Sequence, residues 1–308
     1  IGNTLQIDAH YFAKGSFFGL LQQMVGVTSG LIVFYIIGHF VPRDAFGEYS
    51  FALSILGMLT FISLPGMDTA LIPSVSRGHD SSYPQAMKYK FLFSLIGTPI
   101  LLVWAYVYYT RGSIVFPLLL VSALVFPFFN SFTSYPSFLV AKKQFSTHAL
   151  FASISSLFYL AIFAIVAFTN PTSFNLLIAY FVALILPYIY FSWHCLRFVK
   201  KPSPLDTHLR SYGLFLTGVN ILPWVAGSAG SVILGTLLGA ESLAIFAICS
   251  KFLVSAEKNL IVLYKPITSK LAEQSQKEHT NMLKTHGLKF IGIGIFLSTA
   301  AYIITPYF

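Results

Sequence analysis

The chain has 308 residues, of which 56% are apolar and only 9% charged, with a net charge of +9 and a mean hydropathy of +0.75. A water-soluble domain carries about 25% charged residues, so this chain cannot cover a water-facing surface. Its apolar runs are about 20 residues long and do not alternate with polar positions, which excludes a membrane β-barrel and predicts an all-α integral membrane protein.

Taken in order, the runs predict nine spans: Ser16–Gly38, Tyr49–Ile72, Phe91–Tyr109, Val115–Val140, Ala149–Phe168, Phe174–Leu196, Tyr212–Leu238, Ser242–Tyr264 and Leu288–Thr305. Aromatic residues crowd several ends (Tyr106, Tyr108, Tyr109, Tyr188, Tyr190, Trp193), as expected of interfacial belts. Pro65, Pro99, Pro127, Pro187 and Pro223 fall inside spans, where they read as kinks in a moving bundle, though a static bundle also tolerates some. The first run is too long for a cleavable signal peptide, and others follow it. The chain begins without Met and stops at Phe308 straight after an apolar run, as a fragment or trimmed chain would. Cys195 and Cys249 have no metal-binding spacing and read as small core residues.

The basic residues predict an orientation. Of the 19 Lys and Arg, fifteen fall in the N-terminal segment or after even-numbered spans. Two, Arg43 and Arg111, follow odd-numbered spans, and Lys251 and Lys258 lie inside span 8. By the positive-inside rule the N-terminus is cytoplasmic. The cytoplasmic stretch Lys265–Lys289 places Leu271, Met282, Leu283 and Leu288 among Lys, Glu and Gln, the pattern of an amphipathic helix on an anionic leaflet.

The chain also repeats itself. At an offset of 197 residues Gly30, Gly38 and Tyr49 fall on Gly227, Gly235 and Phe246, and Pro73-Ser-Val-Ser-Arg77 matches Pro266-Ile-Thr-Ser-Lys270 at an offset of 193. The four residues lost amount to about one helical turn, and the first copy carries Leu64-Pro65-Gly66 in that interval. Six spans separate the copies, so both point the same way, which predicts six-helix parallel repeats about an axis along the membrane normal. The first lobe is residues 1–200 and the second, residues 201–308, holds only three spans. The linker Arg197–Arg210 joins them.

A few polar and charged residues are candidates for chemistry. Lys251 lies nine residues into span 8, about 14 Å deep in a core about 30 Å thick. Its helical neighbours Ala247, Ile248, Val254 and Ser255 include no acid. A mid-membrane ammonium costs at least about 2.5–3.5 kcal/mol, so it should face water, a partner helix or a ligand anion. Gln23 and Asn220 lie 197 apart, at matching depths on spans 1 and 7. Their amides suit either sugar hydroxyls or interhelical bonds of about 0.6 kcal/mol, and Gln22 is a similar case. Asp68, after the Pro65-Gly66 break, is either an ion-coupling carboxylate or a solvated or Arg77-paired acid. Arg77 and Lys270 end the paired motifs as interfacial anchors or phosphate contacts. Walker, H-E-x-x-H and Cys–His patterns are absent, so nothing in the chain hydrolyses ATP.

The run Gly38-His-Phe-Val-Pro-Arg-Asp-Ala-Phe-Gly-Glu-Tyr-Ser, then Leu64-Pro-Gly-Met-Asp-Thr-Ala-Leu and Arg77, resembles the opening of Wzx-type polysaccharide flippases of the MOP superfamily, relatives of MATE exporters and lipid II flippases. Tyr212-Gly-Leu, Ile233-Leu-Gly-Thr-Leu-Leu-Gly, Lys251 and Pro266 are similar to the start of that family's second lobe. The resemblance implies a V-shaped bundle of twelve to fourteen helices that moves a lipid-linked oligosaccharide outward across the bacterial inner membrane. It also implies a cationic central cleft, with Lys251 at a commonly basic position, and coupling to an H+ or Na+ gradient rather than a bound cofactor. The implied partners are the lipid-linked oligosaccharide, membrane lipids, and a polysaccharide polymerase with other assembly proteins; nucleic acid is not among them. The chain reads as a transporter and not an enzyme. The rivals are a MATE-like exporter of small molecules, which acids lining the cleft would favour, and a membrane polymerase or ligase, which the short external loops disfavour. A non-transporting scaffold is disfavoured by Lys251 and the broken spans.

Overall fold

The computed structural model describes the fold of residues 9–199 and 206–273, and the side-chain surroundings of residues 17–199 and 206–250. The chain divides into two compact units, Ile1–Cys249 and Ser250–Phe308, and residues 250–273, the described part of the second, are helical. The ninth predicted span and most of the predicted amphipathic segment lie outside the described residues.

Every regular element among the described residues is helical. They are α1 (Ala9–Phe40), α2 (Arg43–Leu59), a short 3-10 turn (Thr60–Ser63), α3 (Gly66–Ser76), α4 (Ser82–Thr110) and α5 (Val115–Ser131). Then follow α6 (Tyr135–Ala141), α7 (Phe145–Thr169), α8 (Ser173–Leu196), α9 (Leu209–Val219) and α10 (Ile221–Glu273). Among the described residues, seven stretches are long and apolar enough to cross a membrane, which makes this a multi-pass membrane protein.

Packing follows the polarity of each face. α4 lies along α5, α1 along α7, α7 along α8, and α2 sits against α5 and α8. The interior of the bundle is aromatic and aliphatic, with Phe46, Tyr49, Ile55, Phe126 and Phe163 buried. Outward faces carry exposed Val103, Leu124 and Leu222, which suits hydrocarbon and not water.

Three of the predicted spans are divided, and each division has a local cause. Span 2 tightens at Thr60 and Ser63, whose hydroxyls take the carbonyls of Leu56 (3.0 Å) and Thr60 (2.6 Å). It stops at Leu64, in the left-handed region at φ 56°, and Pro65 begins again without an N–H to give. Span 4 stops at Phe132–Ser134, just after Asn130 and Ser131 turn their side chains back onto the carbonyls of Phe126 and Pro127, and restarts as α6 with Pro136 in its first turn. Span 7 is divided at Asn220, between α9 and α10.

Spans 7 and 8 run together as α10, whose one non-helical residue among its 53 is Gly239 (φ 82°, ψ −178°). Glycine is required there, since L side chains rarely adopt that φ. The chain doubles back at this point: a Cβ on Gly230 would lie 3.9 Å from the Phe246 ring, although 16 residues separate them in sequence. The stretch from Ile221 to Ser250 is thus a helical hairpin, as the two separate predicted spans require.

Candidate functional site

The short helix α3 gathers the buried charges at one end of the bundle, the end that carries Arg77, Lys88, Lys142, Lys143, Arg197 and Arg210. Asp68 stands in its first turn, Arg77 caps its last, and Asp80 follows in the turn before α4. Each acid or base finds its partner on a different element.

Lys90, only 1% exposed on α4, donates to Asp68 Oδ2 at 2.6 Å and to Thr133 Oγ1 at 2.5 Å. Ser134 Oγ donates to the other carboxylate oxygen of Asp68 at 2.5 Å. Both helix breaks therefore serve the same ion pair: the break after Ser63 places Asp68, and the break at Phe132–Ser134 presents the Thr133 hydroxyl to the ammonium and the Ser134 hydroxyl to the carboxylate. Desolvating an ammonium costs several kcal/mol, which only such a paired and hydrogen-bonded setting offsets. Lys142 makes a second short pair with the buried Asp80, at 2.5 Å.

The third pair is different. Arg77 reaches Asp206, just before α9, with a single contact of 3.2 Å, and the guanidinium side chain is 64% exposed. Asp206 is buried and also accepts from the His208 amide at 2.9 Å. Burial opposes its charge, but the Ser74 hydroxyl, the His208 amide, Arg77 and His79 together outweigh that and hold its carboxyl below the ordinary value. A cavity of about 600 Å³ opens beside this pair, floored by Ala70 and Pro73 of α3 and Leu209 of α9, with His208, Ser211 and Tyr212 at its side.

Arg77–Asp206 ends a longer seam along which α2 and α3 run antiparallel to α9 and the first arm of α10. Arg43 and Glu241 stand 3.9 Å apart at its far end. Between these ends small residues bring the backbones together. A Cβ on Gly57 would sit 2.7 Å from Ser228 Oγ, and one on Gly66 would sit 2.5 Å from the Gly213 carbonyl. The Gly66 amide donates to Thr217 Oγ1 at 3.1 Å, so the hydroxyl of α9 satisfies one of the orphan donors of α3. Because α10 before Gly239 opposes α2, it runs in the same direction as α1.

The expected site residues separate. Asp68 is not paired with Arg77, as one reading had it: Lys90 takes it, and Arg77 turns to Asp206. Gln23 is half-buried in the middle of α1, where it has a polar or ring contact. Asn220 is exposed at the α9–α10 junction and donates to its own Leu216 carbonyl at 2.8 Å. Lys251 lies on the described helix of the second unit, but its side chain is outside the described residues. Sequence reading missed Lys90, having taken it for a loop residue before Phe91. A signal was present: Tyr83, Ala86, Lys90, Ser94, Gly97 and Leu101 recur at helical spacing and share the buried face of α4.

A family model described as polysaccharide biosynthesis protein matches residues 12–271. A search of curated proteins gives no match. A solved structure described as protein A is similar over 100% of this chain and 76% of its own, with a TM-score of 0.63 at 12% identity, a likeness of fold alone.

Proposed function

The chain belongs to the polysaccharide biosynthesis protein family, and from that premise we propose that it flips a polyprenyl-diphosphate-linked oligosaccharide across the bacterial inner membrane by alternating access. A multi-pass chain of this family serves polysaccharide synthesis as a transporter; the lipid-linked substrate and the flipping mechanism are the proposal. The observation that carries it is the family match over residues 12–271 on a chain with seven membrane-length helices among its described residues.

In this reading the basic end faces the cytoplasm, residues 1–200 and 201–308 belong to two lobes, and the seam of α2–α3 against α9–α10 parts at one end at a time. Lys251, Arg77, Gln23 and Asn220 are the proposed substrate contacts, the cations for the diphosphate and the amides for sugar hydroxyls. An H+ or Na+ gradient drives the cycle. Asp68 as its coupling group has to release the Lys90 ammonium, 2.6 Å away, before a coupling cation binds.

The test is translocation by the full-length protein in proteoliposomes. A fluorescent oligosaccharide on a polyprenyl diphosphate is loaded in the inner leaflet, and its exposure to an external glycosidase is measured. Protein-dependent exposure is expected. Exposure no faster than in empty liposomes, with export of a small cationic dye instead, would overturn the reading in favour of a MATE-like exporter.

A further inference from the structure

We infer that Asp68, Thr133 and Ser134 build a site for a monovalent metal cation, and that the Lys90 ammonium occupies it in the cation's place. The inference rests on the proposed function only for its meaning in transport, where it narrows the ion acting at Asp68 to a proton.

Oxygens converge on the ammonium as they would on a hard cation. Lys90 Nζ lies 2.6 Å from Asp68 Oδ2 and 2.5 Å from Thr133 Oγ1. The Thr133 hydroxyl gives its proton to the Asn130 carbonyl at 2.9 Å, so it turns a lone pair and not a hydrogen to the charge. Ser134 donates to the other carboxylate oxygen at 2.5 Å and holds Asp68 in place. An ammonium has three donors, and two are spent on these oxygens. One turn further along the same buried face of α4, the buried Ser94 hydroxyl has no partner among the protein atoms and is a further oxygen to spare.

The charge selects the class of ion. Among the described residues Asp68 is the carboxylate paired with Lys90, while Asp80 and Asp206 are taken by Lys142 and Arg77. One negative charge balances one positive charge. No group of three His, Cys, Asp or Glu able to hold a metal occurs among the described residues, which disfavours a divalent ion. Access is one-sided: the Asp68 side chain is 27% exposed and that of Lys90 only 2%. Cations from the water can meet the carboxylate, but the inner position belongs to an ammonium tethered to α4. A tethered ammonium loses no translational freedom on binding, so free sodium competes with it poorly.

Lys90→Ala tests this in the full-length protein in detergent, because it keeps the carboxylate and both hydroxyls and opens the ammonium position. Unfolding temperature is compared in sodium, potassium and choline chloride at equal ionic strength, and binding of radioactive sodium is measured. Lys90→Ala is expected to unfold at least about 3 °C higher in sodium or potassium than in choline. It should bind at least about tenfold more sodium than wild type does, and Lys90→Ala/Asp68→Asn should lose both effects. Lys90→Ala that unfolds at one temperature in all three salts, or is lost from all three alike, would overturn the inference and leave the ammonium a structural tie. Wild-type protein that binds sodium to the same extent, with the binding lost in Asp68→Asn, would overturn it as well, since the ammonium would not then fill the site. If the cation response fails while the wild-type protein still translocates the oligosaccharide, this inference falls and the proposed function stands.

Discussion

At the scale of residues, the Lys90–Asp68 pair buries an ammonium and can be tested directly. Lys90→Met leaves the partly exposed Asp68 carboxylate with the Ser134 hydroxyl, and breaking the pair in this way costs at most about 3–5 kcal/mol. A marked drop in unfolding temperature in detergent is expected, with most of it recovered in Lys90→Met/Asp68→Asn. A double variant as unstable as the single one would mean that Lys90 acts through its packing alone. Asp206 gives a prediction in pH. Its carboxyl is held below the ordinary value, so the stabilisation from its partners is fully present above about pH 3.9, the value in an unfolded chain. It is lost as pH falls through the lower folded value. The stability that wild type gains over Asp206→Asn should therefore be present at neutral pH and shrink as pH falls below about 4. A difference that persists undiminished to about pH 2 would contradict that assignment. Neither pair was legible in the sequence. Asp68 and Lys90 are 22 residues apart, and Arg77 and Asp206 129 apart, so their meeting depends on where the helix breaks point the chain.

At the scale of elements, the apolar runs read well because membrane length and continuous hydropathy are local properties. The breaks were harder. Pro65 and Gly66 announced the interruption in span 2, and the four-residue shift in the repeat fell on it. The interruption of span 4 carried a sign that went unread, Pro136 in the first turn of α6, where a proline suits a helix start. Gly239 fell in the short turn that the sequence predicts between Leu238 and Ser242, and it is where the chain reverses. The contact of α3 with α9 can be tested by overfilling it. Gly66→Val would press a side chain on the Gly213 carbonyl, 2.5 Å from the new Cβ, and should cost about 1–3 kcal/mol. An unchanged unfolding temperature would show that the two helices are less closely packed.

At the scale of the whole molecule, the alternation of basic residues across the spans was the strongest topological signal, and it leads to labelling. Cysteines at Asp44 and Thr207 should react with an impermeant maleimide from opposite sides of intact cells; reaction of both from one side would break the assigned order of spans. The central claim is that the seam of α2–α3 against α9–α10 parts during transport. Gly57 and Ser228 face each other on it, and a Cβ on Gly57 would lie 3.7 Å from that of Ser228, inside the range of about 3.5–4.5 Å that a disulfide spans. Gly57→Cys/Ser228→Cys should cross-link on oxidation, and the oxidised protein should cease to translocate the lipid-linked oligosaccharide in proteoliposomes until a reductant restores it. Translocation by the fully cross-linked protein at the rate of the reduced one would contradict the claim.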